Sequence, residues 1–104
     1  MVELMKLPEE IKVGAIRYRV TAVQSLADSH RKLDGQVRHK LTHIEVDADL
    51  NDQAAVQTLL HEVVHIVAIQ LGHPDLEEND VDAIAYAAYQ VLRDNPDLMK
   101  AIAK

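Results

Sequence analysis

The apolar positions divide the 104-residue chain into a strand-like first half and a helical second half. The segment from Ile11 to Val23 alternates apolar and polar side chains from Ile16 onward, as a half-buried strand does. The next ten residues, Gln24 to Leu33, fit a helical turn or a polar loop equally well. Asp34-Gly35 then gives a turn signal, so the first half predicts strands joined by turns.

Beyond that turn, the segment from Gln36 to Asp47 again favours strand structure. Ile44 and Val46 fall on one face of it, whereas His43 falls on the other with His39, Leu41 and Glu45. A strand with this pattern would bring His43 near the helix that follows.

In the second half, apolar residues return every three or four positions, which is the helical period. The first helix should begin near Asn51 or Asp52, either of which can cap it, and should stop before Gly72. A second, antiparallel helix follows from Leu76 to Asp94. These elements predict an α+β fold in one domain, residues 1–104, in which a small antiparallel or mixed three-stranded sheet packs on the two helices.

The last segment, Asn95 to Lys104, offers one more short helix. Pro96 suits its first turn, and Leu98, Met99 and Ile102 give it an apolar face. A helix at this place could cover a site on the two preceding helices.

One stretch of the first helix carries the strongest functional signal in the chain. His61, Glu62 and His65 spell H-E-x-x-H, and every other residue from Thr58 to Ile69 is uncharged. Histidines four residues apart share a helix face, so both can reach one Zn²⁺, while the glutamate between them can deprotonate a water molecule. A surface helix would carry charged residues here. The motif therefore predicts a zinc-dependent hydrolase.

A zinc site of this kind needs a third protein ligand. The second helix offers four carboxylates near its start, at Glu77, Glu78, Asp80 and Asp82. Acids are also common in a first helical turn because they complement the helix dipole, and this is the interpretation we favour for Glu77 and Asp80. The residues by themselves leave the third ligand open.

Together the two helices resemble the gluzincin clan of zinc peptidases, in which a glutamate opening an E-x-x-x-D pattern is the third ligand. Glu78 and Asp82 match that pattern. The resemblance thus implies that Glu78 binds the metal and that Asp82 accepts the free ring N–H of a ligand histidine. Asp82 is the main alternative ligand, because the 13 residues from His65 to Glu78 are fewer than the larger gluzincins use.

More closely, the chain is similar to small phage- or prophage-encoded gluzincins related to ImmA/IrrE-type metallopeptidases, whose pattern Thr58 and Ala85 also match. The resemblance implies a zincin-like fold and a zinc endopeptidase in which Glu62 activates the water and a protein or peptide substrate binds along an edge strand. The donor that stabilises the oxyanion stays open, and the candidates are Tyr86, Tyr89, His43 and His73.

Two other functions remain alternatives. In one, the same fold is catalytically silent and uses zinc as a staple in a protein-binding module. In the other, the helices form a metal-free interaction domain.

Composition limits the partners, the metal-ligand types and the cellular compartment that we expect. The formal charge of −6 argues against binding to a nucleic acid backbone, although basic residues cluster from Arg31 to Lys40. The absence of cysteine excludes thiolate ligands and disulfides. No apolar run reaches the roughly 18 residues of a membrane span, and the acidic N-terminus lacks a secretory signal. We therefore expect a cytoplasmic protein without a membrane partner; the oligomeric state stays open.

Overall fold

A computed structural model describes residues 7–28 and 31–104 of the chain, which form two layers, a sheet and a set of helices. The strands are β1 (Glu10–Val13), β2 (Ile16–Val23), β3 (Ala27–Asp28), β4 (Arg31–Lys32), β5 (Gly35–Arg38) and β6 (His43–Asp47). The helices are α1 (Asp52–Gln70), α2 (Glu78–Asp94) and α3 (Pro96–Ile102), with a 3-10 turn at His39–Leu41. The predicted α+β class is confirmed.

The main sheet contains four of the described strands, in the order β1-β2-β6-β5, and not the predicted three. It is mixed, because β2 and β6 are parallel while the two outer pairs are antiparallel. The extra strand arises at Gly14, whose φ of 64° turns the chain so that Val13 pairs with Ile16. Glycine adopts this conformation at no steric cost. The segment predicted as one strand is therefore a hairpin.

The segment from Gln24 to Leu33 is neither the helical turn nor the polar loop that its composition allows. Its described residues form a ribbon in which β3 and β4 pair antiparallel, with Ala27 opposite Lys32. Ser29 and His30 lie outside the described residues. Leu26, immediately before β3, is only 4% exposed, so an apolar side chain anchors the start of this ribbon.

The hydrophobic core lies between the main sheet and α1. Its buried members are Val13, Tyr18, Val20, Ile44, Val46, Leu59 and Ile66. The second helix packs against α1 and buries Val81 and Ala85. The small side chains on this face of α2 let the two helices approach closely, which brings the start of α2 beside the middle of α1.

The ends of α1 follow the predicted signals. Asn51 is the N-cap, and its side chain accepts a hydrogen bond of 2.8 Å from the backbone N–H of Ala54. The helix ends at Gln70, and Gly72 has a φ of 86° just beyond it. The second helix begins at Glu78, two residues after the predicted Leu76.

The outer face of the main sheet, opposite the core, is polar. Glu45 accepts hydrogen bonds from Gln36 Nε2 at 2.6 Å and Arg38 Nε at 2.9 Å. Burial raises the pKa of Glu45, but the hydrogen bonds from Arg38 and Gln36 outweigh it and leave the pKa below its usual value. His43 lies on this face too, with Nε2 2.8 Å from Thr21 Oγ1. The expectation that His43 lies near α1 is therefore wrong.

The third helix begins at Pro96, as predicted, and packs against α2. Leu98, Met99 and Ile102 remain between 43% and 67% exposed. None of the described helices combines the length and the apolar character that a membrane crossing requires.

Candidate metal centre

The middle of α1 presents His61 and His65 toward the start of α2. Leu59 and Ile66 hold this part of the helix on the sheet and are 5% and 1% exposed. Because the two histidines are one helical turn apart, their rings meet edge to face, and their Nε2 atoms lie 3.1 Å apart. The side chains of His61 and His65 are 19% and 26% exposed, so their inner faces are buried while the Nε2 atoms remain reachable.

The first turns of α2 bring two carboxylates to these rings. Glu78 Oε2 lies 2.9 Å from His61 Nε2, and Glu78 Oε1 lies 2.8 Å from His65 Nε2. Asp82 Oδ1 lies 2.7 Å from the other ring nitrogen of His61, Nδ1. Glu78 is thus the acid that joins both Nε2 atoms, and Asp82 is the acid behind His61. The remaining two acids of this region, Glu77 and Asp80, are not part of the cluster.

His61, His65 and Glu78 form a group that could hold a metal ion. Tetrahedral ligands at the usual Zn–N and Zn–O distances of about 2.0–2.1 Å are about 3.3–3.4 Å apart. The Nε2 atoms of His61 and His65 lie 3.1 Å apart, and each lies within 2.9 Å of a different oxygen of Glu78. With one donor atom from each residue, the three atoms lie within 4.8 Å of one another, so side-chain shifts of up to about 1.4 Å would give that spacing. The donor types, two imidazole nitrogens and a carboxylate oxygen, are those of catalytic zinc sites.

Asp82 bears on the orientation of the His61 ring. Its Oδ1 atom lies 2.7 Å from Nδ1, so in the tautomer that is protonated at Nδ1 the lone pair of Nε2 points toward Glu78. In that tautomer Nε2 is available as a metal ligand.

Glu62 differs from the other carboxylates of the site because it is buried. It is 6% exposed, and its Oε2 has no hydrogen-bond partner among the described residues. Burial raises the pKa of Glu62, and the neighbouring His61 and His65 partly oppose this shift. A buried carboxylate with a free oxygen can take up a proton, which is the property a general base needs.

A cleft runs along β5 on both sides of the histidines. On the His61 side it encloses about 540 Å³, and on the His65 side about 280 Å³. Leu33, Gly35 and Glu62 line both sides, so Glu62 lies where the two meet. The larger side lies within the usual range of ligand sites, about 300–1,000 Å³, and the smaller side admits about one side chain.

The cleft floor depends on a close approach between β5 and α1. A Cβ atom added at Gly35 would lie 2.6 Å from Thr58 Cγ2 and 3.5 Å from Glu62 Cγ. Carbon atoms pack at about 3.5–4.0 Å, so glycine is needed here for space. Thr58, which the sequence analysis noted only as a match to a pattern, packs against this edge strand.

None of the four oxyanion candidates lines the cleft among the described residues. Tyr86 is 53% exposed and accepts a hydrogen bond from Gln90, and His73 is exposed in the loop after α1. Tyr89 stacks under Arg93, at 5.2 Å from ring centroid to guanidinium carbon. His43 faces the other side of the sheet.

The cleft also contains residues that no sequence pattern indicated. His39 and Gln36 line the His65 side, and Asp34 and Gln57 line the His61 side. The Asp34-Gly35 pair signalled only a turn. α3 contributes no described residue to either side of the cleft, so it does not cover the cleft.

Comparisons with protein-family models, with curated proteins and with solved structures find no match to this chain. The functional assignment therefore rests on the geometry of the site.

Proposed function

We propose that the chain is a zinc-dependent endopeptidase with a zincin-like fold. One observation carries the proposal: the Nε2 atoms of His61 and His65 lie 3.1 Å apart and each lies within 2.9 Å of an oxygen of Glu78, beside the buried carboxylate of Glu62, whose Oε2 has no partner among the described residues. The group combines three ligands with a neighbouring base, which is the composition of a hydrolytic zinc site.

The residues divide the chemistry between them. A zinc ion held by His61, His65 and Glu78 would lower the pKa of water and polarise the carbonyl of the scissile peptide. Glu62 removes a proton from the attacking water while the water oxygen bonds to the carbonyl carbon. Glu62 then delivers that proton to the amine nitrogen as the C–N bond breaks. Asp82 fixes the ring of His61, because its hydrogen bond to Nδ1 leaves Nε2 free as a ligand.

The preference for a peptide substrate rests on the position of β5. This strand pairs with β6 on one side and is the last strand of the described sheet. An extended peptide can add to such an edge through main-chain hydrogen bonds. Because the cleft continues on both sides of Glu62, a segment within a longer chain fits as well as a chain end.

A catalytically silent module is the alternative. Glu78 and Asp82 have side chains about 70% exposed, and the donor set joins α1 to α2, so a bound ion would staple the helical hairpin whether or not turnover occurs. The two functions differ in the role of Glu62. It serves turnover in the peptidase alone, and it binds the metal in neither.

Metal content and turnover of matched variants test the proposal. The untagged protein should bind one zinc per chain by elemental analysis, as should Glu77→Ala and Glu62→Gln, while Glu78→Ala should lose the metal. Glu77 is the matched control because it is the adjacent acid and its side chain makes no capping hydrogen bond. Peptide hydrolysis should fall by about 10²–10⁴ in Glu62→Gln.

Each result has a separate meaning. A wild-type protein that takes up no zinc would refute both the peptidase and the stapled module. Zinc binding with equal hydrolysis by wild type and Glu62→Gln, or with hydrolysis by neither, would leave the module as the function.

A further inference from the structure

The two ends of the cleft differ in chemistry. The His61 side contains the carboxylate of Asp34 besides Glu78 and Asp82. The His65 side contains Val37, Ile69 and His39 and no acid other than the shared Glu62. A substrate lying across Glu62 therefore meets an acidic surface at one end and a largely apolar surface at the other.

Asp34 is the acid that the proposed metal site does not use. Glu78 and Asp82 are engaged by the two histidines. The Asp34 side chain, in contrast, has no hydrogen bond or ion pair with the described residues, and it is exposed in the cleft. Its backbone is fixed, because its carbonyl accepts a hydrogen bond of 2.7 Å from the N–H of Asp47. A carboxylate without a partner among the described side chains is thus held on a fixed backbone.

The charge distribution favours cations on this side of the molecule. Residues 47 to 104, which form both main helices, carry 11 acidic and three basic residues. Such an imbalance concentrates cations near the surface and speeds their association. A basic substrate is thereby attracted to the helical wall of the cleft. The opposite wall belongs to the basic segment from Arg31 to Lys40, in which Asp34 is the single acid.

We propose that Asp34 sets the specificity of the cleft. On the proposed peptidase function, the substrate is an extended polypeptide with a lysine or arginine on the His61 side of the scissile bond and an apolar residue on the His65 side. The cation pairs with Asp34, and the apolar side chain packs on Val37 and Ile69. The larger volume at the His61 end suits the longer basic side chain.

The test compares two peptide libraries that differ in charge alone. Each holds ten-residue peptides of uncharged residues around one fixed position, which is lysine in the first library and acetyl-lysine in the second. With the zinc-loaded protein, we expect kcat/KM to be about two- to fivefold higher for the lysine library, the range of an exposed ion pair. Asp34→Asn should remove the preference, and Asp97→Asn, an exposed acid on α3, should retain it.

A binding measurement separates this inference from the peptidase proposal. Fluorescent forms of both libraries are titrated into the zinc-loaded Glu62→Gln protein, with and without Asp34→Asn. Lysine-dependent binding that Asp34→Asn abolishes supports the role of Asp34 even where no variant cleaves peptides, a result that refutes the peptidase alone. Cleavage or binding without a lysine preference, or a preference that Asp34→Asn leaves unchanged, overturns the role of Asp34.

Discussion

Replacing Gly35 by alanine should destabilise the protein through one identifiable contact. The new Cβ would lie 2.6 Å from Thr58 Cγ2 and 3.2 Å from the carbonyl oxygen of Glu45. The first distance is about 1 Å shorter than a carbon–carbon contact allows. Thr58 is β-branched and sits within α1, so its χ1 angle cannot relax freely. Either β5 or α1 must move.

The expected cost follows from two opposing effects. Overpacking of this kind costs about 1–3 kcal/mol. Alanine also restricts the unfolded chain, which returns about 0.4–1 kcal/mol. At the midpoints of these ranges the free energy of unfolding should fall by about 1.3 kcal/mol, and the melting temperature by about 4–8 °C for each kcal/mol in a domain of this size.

Removing the methyl group of Thr58 should relieve the clash. Thr58→Ser deletes Cγ2 and keeps the hydroxyl, so the double variant with Gly35→Ala should recover about 1 kcal/mol relative to the sum of the single variants. The chain contains no tryptophan, so urea unfolding is best followed by far-ultraviolet circular dichroism, in EDTA to exclude metal effects.

Gly72→Ala provides the matched control. Gly72 has a φ of 86°, but a Cβ there meets no atom within 4 Å. Its substitution should cost stability through backbone strain alone, and Thr58→Ser should not relieve that cost. A Gly35→Ala protein as stable as wild type, or one that Thr58→Ser fails to rescue, would refute the close approach of β5 to α1.

Three further predictions concern single carboxylates. Asp82→Asn should weaken zinc affinity about 10- to 100-fold, because it disturbs the partner that orients His61; competition with a chromogenic chelator measures it. Glu62→Gln should leave the metal-free protein at least as stable as wild type in urea at pH 7, since it replaces a buried carboxylate whose Oε2 has no partner among the described residues. A fall in the free energy of unfolding above about 1 kcal/mol would show that Glu62 has a further partner. Glu45→Gln should destabilise by under about 1 kcal/mol at pH 7. Because the folded pKa of Glu45 is lowered, its stabilisation is present above the usual value of about 4.3 and is lost as pH falls through the folded pKa. The difference between wild type and variant in urea titrations should therefore be smaller at pH 3 than at pH 7.

The second half of the chain was the more predictable from sequence. Helix ends depend on local chemistry, and the Asn51 cap and the stop near Gly72 lie where their side chains predict. The return of α2 beside α1 also follows from the short loop between them, whereas the choice of Glu78 among the four acids came from the resemblance to the gluzincin pattern. A residue four positions on, Asp82, then faces the same histidine.

The first half was harder because its structure depends on distant partners. Gly14 could have been a flexible residue inside a strand, and it becomes a turn only because β1 pairs back onto β2. The period of β6 correctly grouped Ile44 with Val46, but which face meets α1 depends on the sheet as a whole. For the same reason the sequence placed His43 on the wrong side, and it gave no indication that Asp34 and His39 line the cleft.

The free edge of β5 has a consequence for the behaviour of the protein in solution. An edge left open for a peptide is equally open to the β5 strand of a second molecule, and such pairing is a common start of aggregation. Two features restrain it: β5 is only four residues long, and Arg38 places a cation at its end. On the proposed function, self-association at this edge would compete with the binding of a substrate peptide.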